Sequence, residues 1–334
     1  MLFFFRKNFC LLLFIVFSFY KINAQDPVFT QFHNVPEYLN PSFTGGSEGS
    51  EIGIINRTQW FGLNYALNTQ FAYFDNYLED INSGVGFSIL NHHESITRYN
   101  FTQLNLNYSY HVKLSNEWFF YPSISVSYGF KDYKFDSLLL EDQILISQGI
   151  INVTSNDPFL LNDSISFFDM SAGLLFFNQN LWFGTSVKHL TSPNISFQNE
   201  GGQVKLEKFF TIHGGYKFPL GGRFSSDKLN LFLNFNYMRQ SNFDRLDIGG
   251  LMKYNSVSFG AYTTIAPTDV SGSSHKLTSL NLVSNIDFRQ FTFGYSYDLN
   301  LSELSGTKGI FEISISYNFD SVFGNDGIIP CGCK

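Results

Sequence analysis

Charge is scarce in this chain. Only 15% of its 334 residues are Asp, Glu, Lys or Arg, against ~25% in an average soluble protein. The balance is acidic, −7 overall, which argues against a nucleic-acid surface, since that needs a basic face. Cysteine is almost missing: Cys10 lies in the leader, and Cys331 and Cys333 lie in the terminal Pro330-Cys331-Gly332-Cys333-Lys334 stretch. A disulfide across one residue would be strained, so no disulfide framework holds this fold. Beyond residue 20 no apolar run is long enough to cross a membrane as a helix. Enzymatic signatures are absent as well, with no Gly-x-Ser-x-Gly elbow, phosphate loop or His-Glu-x-x-His. No catalytic residue, cofactor or metal ligand is assigned. His92-His93-Glu94 is the one cluster that suggests a metal, but neighbours on a strand point to opposite faces, and it reads as a solvated outward loop. Lys188-His189 and Lys253, on apolar–polar alternating stretches, read as solvated charges.

Aromatics, in contrast, are abundant: 40 Phe and 18 Tyr. They fall in runs that alternate apolar with polar at period two, as in Gln103-Leu104-Asn105-Leu106-Asn107-Tyr108-Ser109-Tyr110 and Ser123-Ile124-Ser125-Val126-Ser127-Tyr128. Side chains along a strand face opposite sides, so each run has one greasy face and one of Ser, Asn, Gly and Thr. Arg6 and Lys7, then the apolar stretch Phe9 to Tyr20, form an export signal with an expected cut between Ala24 and Gln25. Its removal takes Arg6, Lys7 and Lys21 and no acid, leaving 18 basic against 28 acidic residues, a net charge near −10. Alternation behind an export signal predicts an all-β fold, a transmembrane antiparallel barrel in the cell outer membrane, in contact with its lipid.

About fourteen runs are long enough to cross, with twelve as the alternative. They fall near 51–60, 66–78, 84–93, 98–113, 117–133, 165–178, 181–190, 203–218, 228–239, 243–254, 256–264, 276–288, 291–299 and 308–319. Connections after even-numbered runs are mostly short, such as Asn255-Ser256 and Arg289-Gln290, whereas 134–164, 191–202 and 265–275 are long. Short turns inward and long loops outward are the rule for outer-membrane barrels, and an even count puts both termini in the periplasm. Residues 138–151 are apolar enough for a small helix or hairpin above the barrel. The expected organisation is a signal peptide at 1–24, an extended segment or plug at 25–49 at the periplasmic mouth, the barrel at 50–320 and a periplasmic tail at 321–334.

Residues 25–49 break the alternation. Gln25-Asp26-Pro27, Phe29-Thr30-Gln31-Phe32 and Asn40-Pro41-Ser42-Phe43-Thr44-Gly45 carry prolines and aromatics that fit neither an ordinary helix nor a central strand. In order and spacing they resemble the opening of the PorP/SprF family of type IX secretion outer-membrane proteins of the Bacteroidota. The motif residues are Gln25, Asp26, Pro27, Gln31, Asn40, Pro41 and Gly45. Lys188-His189-Leu190-Thr191-Ser192-Pro193 and Glu312-Ile313-Ser314 are similar to later family patterns, although Phe311 stands where the family has His. The resemblance implies a non-enzymatic barrel that supports secretion or surface attachment of a partner, such as a gliding adhesin, together with periplasmic type IX components. A porin or hydrophobic-solute channel is the alternative from the residues alone.

Overall fold

The computed structural model describes residues 25–47, 49–60, 67–95, 98–133, 144–145, 150–151, 164–197, 203–220, 229–268, 277–301 and 307–319. The signal segment, the cleavage-site residue Ala24, the tail with Cys331 and Cys333, and most of 134–163 lie outside them. Fourteen long strands form the wall: β1 (Ser50–Gln59), β2 (Leu67–Leu78), β3 (Ser83–Glu94), β4 (Asn100–Tyr110), β5 (Phe119–Asp132), β6 (Ser164–Phe177) and β7 (Leu181–Lys188) make the first half. The second half is β8 (Phe209–Pro219), β9 (Leu229–Gln240), β10 (Phe243–Tyr254), β11 (Val257–Ile265), β12 (Leu277–Phe288), β13 (Phe291–Asn300) and β14 (Ile310–Phe319). Each pairs antiparallel with its sequence neighbour, and β1 pairs with β14 from Ser50↔Phe319 to Gln59↔Ile310. The sheet therefore closes and leaves no edge, as backbone in lipid requires.

Alternation places the greasy face outside. Leu106 is 64% exposed while Asn107 beside it is 7% exposed and Ser109 is 0%. The same inversion holds along β5, where Ile124, Val126, Tyr128 and Phe130 are exposed and Ser125 and Ser127 are buried. Full burial of one such side chain is worth ~1.5–3 kcal/mol. A belt of dozens of them could not stand in water, and its solvent is lipid.

Two expected strands end differently. The run at 98–113 splits at His111, leaving Val112–Lys113 as a separate pair with Phe119 and Phe120. Pro122 lies between the two ladder stretches, since it cannot donate there. The run at 203–218 begins only at Phe209; before it, Asn194 and Lys205 make an isolated bridge. Among the described residues of the long connection after β5, Ile144–Leu145 pairs with Ile150–Ile151 as a two-stranded hairpin. Tight turns such as Asn255-Ser256 and Arg289-Gln290 cluster at one end, called here the turn rim. Asn255 and Arg289 adopt left-handed φ of 50° and 57°, which suits two-residue hairpins. The opposite end is the loop rim.

Candidate functional site

A polar lumen is costly unless its polar groups are satisfied. Here residues 25–47 satisfy many of them. Expected at the periplasmic mouth, this segment instead runs the length of the lumen. Asp26 sits at the loop rim beside the end of β9, and Gly45 sits at the turn rim against the start of β3. Pro36 and Pro41 each open a short helical turn, Pro36–Leu39 and Pro41–Phe43. Proline suits that first position because its missing N–H has no partner there anyway. Aromatic packing holds the middle: Phe29 meets Tyr38 edge-on with ring centres 5.0 Å apart, and Tyr38 meets Phe71 at 5.2 Å.

Polar anchors reach strands all around the wall. Near the loop rim, the backbone N–H groups of Thr30 and Gln31 donate to the two carboxylate oxygens of Glu312 at 2.8 and 2.9 Å. The Thr30 hydroxyl donates to Asp298 at 2.7 Å. Arg57 on β1 bridges both carboxylates, donating to Glu312 and, at 3.3 Å, to Asp298. All three charged side chains are almost wholly buried. Deeper in, the Gln31 amide oxygen accepts from Ser314 at 2.7 Å and from Asn34 at 2.8 Å.

Asn40 is the hub of the central layer. Its amide nitrogen lies 3.0 Å from the Leu174 carbonyl on β6, 3.2 Å from the Thr185 carbonyl on β7 and 3.1 Å from His213 Nε2 on β8. Its oxygen accepts from the Ser42 N–H at 2.9 Å, capping the next turn. Replacing Asn40 with Ala strands these partners in a buried layer, and a loss of about 2–3 kcal/mol is expected. The thermal midpoint of the folded barrel reads it.

At the turn rim, Thr44 and Gly45 press against Gly84. A Cβ on Gly84 would lie 2.0 Å from the Thr44 carbonyl oxygen, and one on Gly45, which holds φ +70°, would lie 2.5 Å from Gly84 Cα. Only glycine at both positions allows that approach. Gly173 leaves the same kind of room for Asn40, whose side-chain oxygen would lie 2.0 Å from an added Cβ.

At the loop rim, His189 joins the segment to the wall. Its Nδ1 lies 2.6 Å from Asp169 and its Nε2 2.7 Å from Asp26, and Asp26 also receives Gln240. Read as a solvated wall charge, His189 is instead a 2%-exposed clasp. Sequence spacing could not show this, because Asp26 is far away along the chain. Burial pushes its imidazole down, but the Asp26 charge and the hydrogen bonds to both carboxylates outweigh burial and raise it to about 9. Burial pushes Asp26 up, but His189 holds it well below the usual carboxylate range. The His189 contribution is complete below its unfolded value of 6.5 and is lost as pH rises through about 9. The Asp26 contribution is present above 3.8 and is lost on acidification. Hydrogen-exchange protection of residues 26–30 should therefore be highest between these two unfolded values and fall toward pH ~10. His189→Ala should show lower protection without that decline.

Other sequence readings shift in detail. His92, expected in a solvated loop, lies within β3, and its Nδ1 is 2.7 Å from Thr69 Oγ1. Lys253 pairs with Asp287 at 2.8 Å and is partly exposed, as a wall charge should be. Among the described residues no group of His, Cys, Asp and Glu could hold a metal.

The profile of the family described as "Type IX secretion system membrane protein PorP/SprF" matches residues 21–317. The chain belongs to the PorP/SprF family. No curated protein matches it in sequence. Among solved structures it is similar to a deltaS2S3 mutant of the monoaromatic hydrocarbon channel TodX, at 12% identity and TM-score 0.52, covering 86% of this chain and 94% of that one. It also matches the Ralstonia pickettii toluene transporter TbuX at 10% identity and TM-score 0.47, over 86% and 94% of the two chains. At such identity the TodX likeness speaks for the outer-membrane barrel fold alone.

The PorP/SprF opening motif now has a physical role. Asp26, Gln31, Asn40 and Gly45 supply wall anchors at successive depths, and the Pro27 carbonyl accepts from the Tyr38 hydroxyl. Pro41 starts the turn that Asn40 caps. Gln25 lines the loop-rim cavities. Phe311, where the family pattern has His, shares its strand face with exposed Ile313 and not with buried Glu312. The exchange therefore adds to the greasy belt and leaves the lumen network intact.

Proposed function

We propose that this PorP/SprF barrel is a non-enzymatic component of type IX secretion that supports secretion or surface attachment of a partner protein, such as a gliding adhesin. The family match carries this reading. The anchored segment supports it: a wall-to-wall hydrogen-bonded occupant of the lumen suits a scaffold better than a passive pore. In this reading the turn rim faces the periplasm and its type IX components, and the loop rim faces the exported partner. The cut between Ala24 and Gln25 frees the segment that the lumen then receives.

The test is genetic and biochemical together. Deleting the gene should remove at least one secreted protein from the cell surface, and tagged barrel purified from outer membranes should bring that protein or periplasmic type IX components with it. An unchanged surface proteome together with a barrel that purifies alone would overturn the proposal.

A further inference from the structure

Lys131, near the end of β5 at the loop rim, is a buried cation that feels the charge of Asp26 but makes no ion pair among the described residues. It is 6% exposed, and among the described residues its ammonium meets no carboxylate. What it meets are two ring faces, Phe101 at 5.1 Å and Phe167 at 5.7 Å. Asp26 lines the same cavity, but its oxygens are engaged by His189 and Gln240. A buried ammonium normally carries a paired anion, because desolvating it alone is expensive. Cation–π contact with the two rings offsets part of that cost, and among the described residues the ammonium makes no hydrogen bond.

That ammonium lines a cavity of about 540 Å³ at the loop rim. Its apolar walls include Tyr99, Phe101, Tyr133, Ile195, Phe197 and Leu206, and Gln25, Asp26, His92 and Ser196 add polar edges. The rings are mutually braced, with Tyr99 4.8 Å from Tyr133 and Tyr133 4.9 Å from Phe197. An apolar, aromatic cavity of this size with one convergent cation is the layout of a small-ligand site. The volume is too apolar to favour inorganic phosphate or sulfate, which would have to shed water against the rings.

We infer that this cavity binds a carboxylate carried on an aromatic or aliphatic body, with Lys131 receiving the carboxylate and the ring cluster the body. The same chemistry is offered by a free amphipathic acid and by the C-terminal carboxylate of a polypeptide ending in a large apolar residue. This inference is independent of the secretion role.

The test uses the mature full-length barrel in lipid nanodiscs and titrates 3-phenylpropanoate against its neutral isostere 3-phenylpropan-1-ol by calorimetry. Saturable binding of the acid, at least tenfold tighter than the alcohol, is expected. Lys131→Met should abolish that preference and Lys131→Arg should keep it, with the heat-resistant folded band of both variants as the folding control. A tripeptide ending in phenylalanine, compared with its amide, separates the two sources. Preference for the free-acid peptide over 3-phenylpropanoate points to a chain end, and the reverse to a free acid. Equal affinity for acid and alcohol, no binding of either acid, or an unchanged preference in folded Lys131→Met would overturn the assignment.

Discussion

Arg57→Met should destabilise the barrel by about 3–5 kcal/mol, the cost of removing one partner from a buried ionic cluster. Methionine keeps most of the stem volume, so the effect isolates the charge. Without the guanidinium, Asp298 and Glu312 face each other in a buried lumen layer, with Arg245, itself paired with Asp247, as the neighbouring cation. Glu312 keeps the N–H groups of Thr30 and Gln31, and Asp298 keeps the Thr30 hydroxyl. Those bonds stabilise a carboxylate but do not neutralise it. The temperature at which the folded band disappears on a denaturing gel reports the loss. Adding Glu312→Gln to Arg57→Met should recover part of it, because one of the two stranded charges is then gone. Should Arg57→Met melt within a degree or two of the parent, the cluster would be a bystander.

Deleting residues 27–46 should have the largest functional effect, turning a barrel without steady conductance into an open pore. The segment is hydrogen-bonded to β14, β12, β8, β7, β6, β5 and β4 in turn, so it spans the lumen in every direction. A fourteen-strand wall relieved of that occupant retains a lumen lined by Ser, Asn and Thr, which water wets readily. Because the deletion also strips partners from the wall, Gly173→Val provides a gentler route. Its side chain would enter the space of the Asn40 amide oxygen and lift the central layer off β6. Planar-bilayer recording decides: steady conductance of the parent equal to that of both variants would mean that the segment does not block passage.

Compartment and wall were legible because they follow from period two. Alternation, low charge and aromatic load each respond to lipid one residue at a time, so a window of ten residues carries the signal. The count of fourteen and the clustering of short turns at one end came from the same local rule. Boundaries slipped where a distant residue intervened: Pro122 broke the ladder opposite Tyr110, just before His111, and the chain before Phe209 ran across the rim in place of joining the sheet. His189 was misread for a related reason. On a strand end it is a polar residue like any other; pairing of β7 with β6 brings Asp169 to one nitrogen, and only closure of the barrel around the segment brings Asp26 to the other.

By itself, then, the sequence determined what lies outside the barrel and what lies inside, and its opening motif determined the family. Local spacing sets which face a side chain takes. Only the tertiary structure decided where the motif goes: along the lumen and not beside it, with Asp26, Gln31, Asn40 and Gly45 each meeting a different part of the wall. Those contacts join residues up to 283 positions apart. No local pattern encodes them, because each becomes possible only when β1 and β14 meet and the wall surrounds the segment.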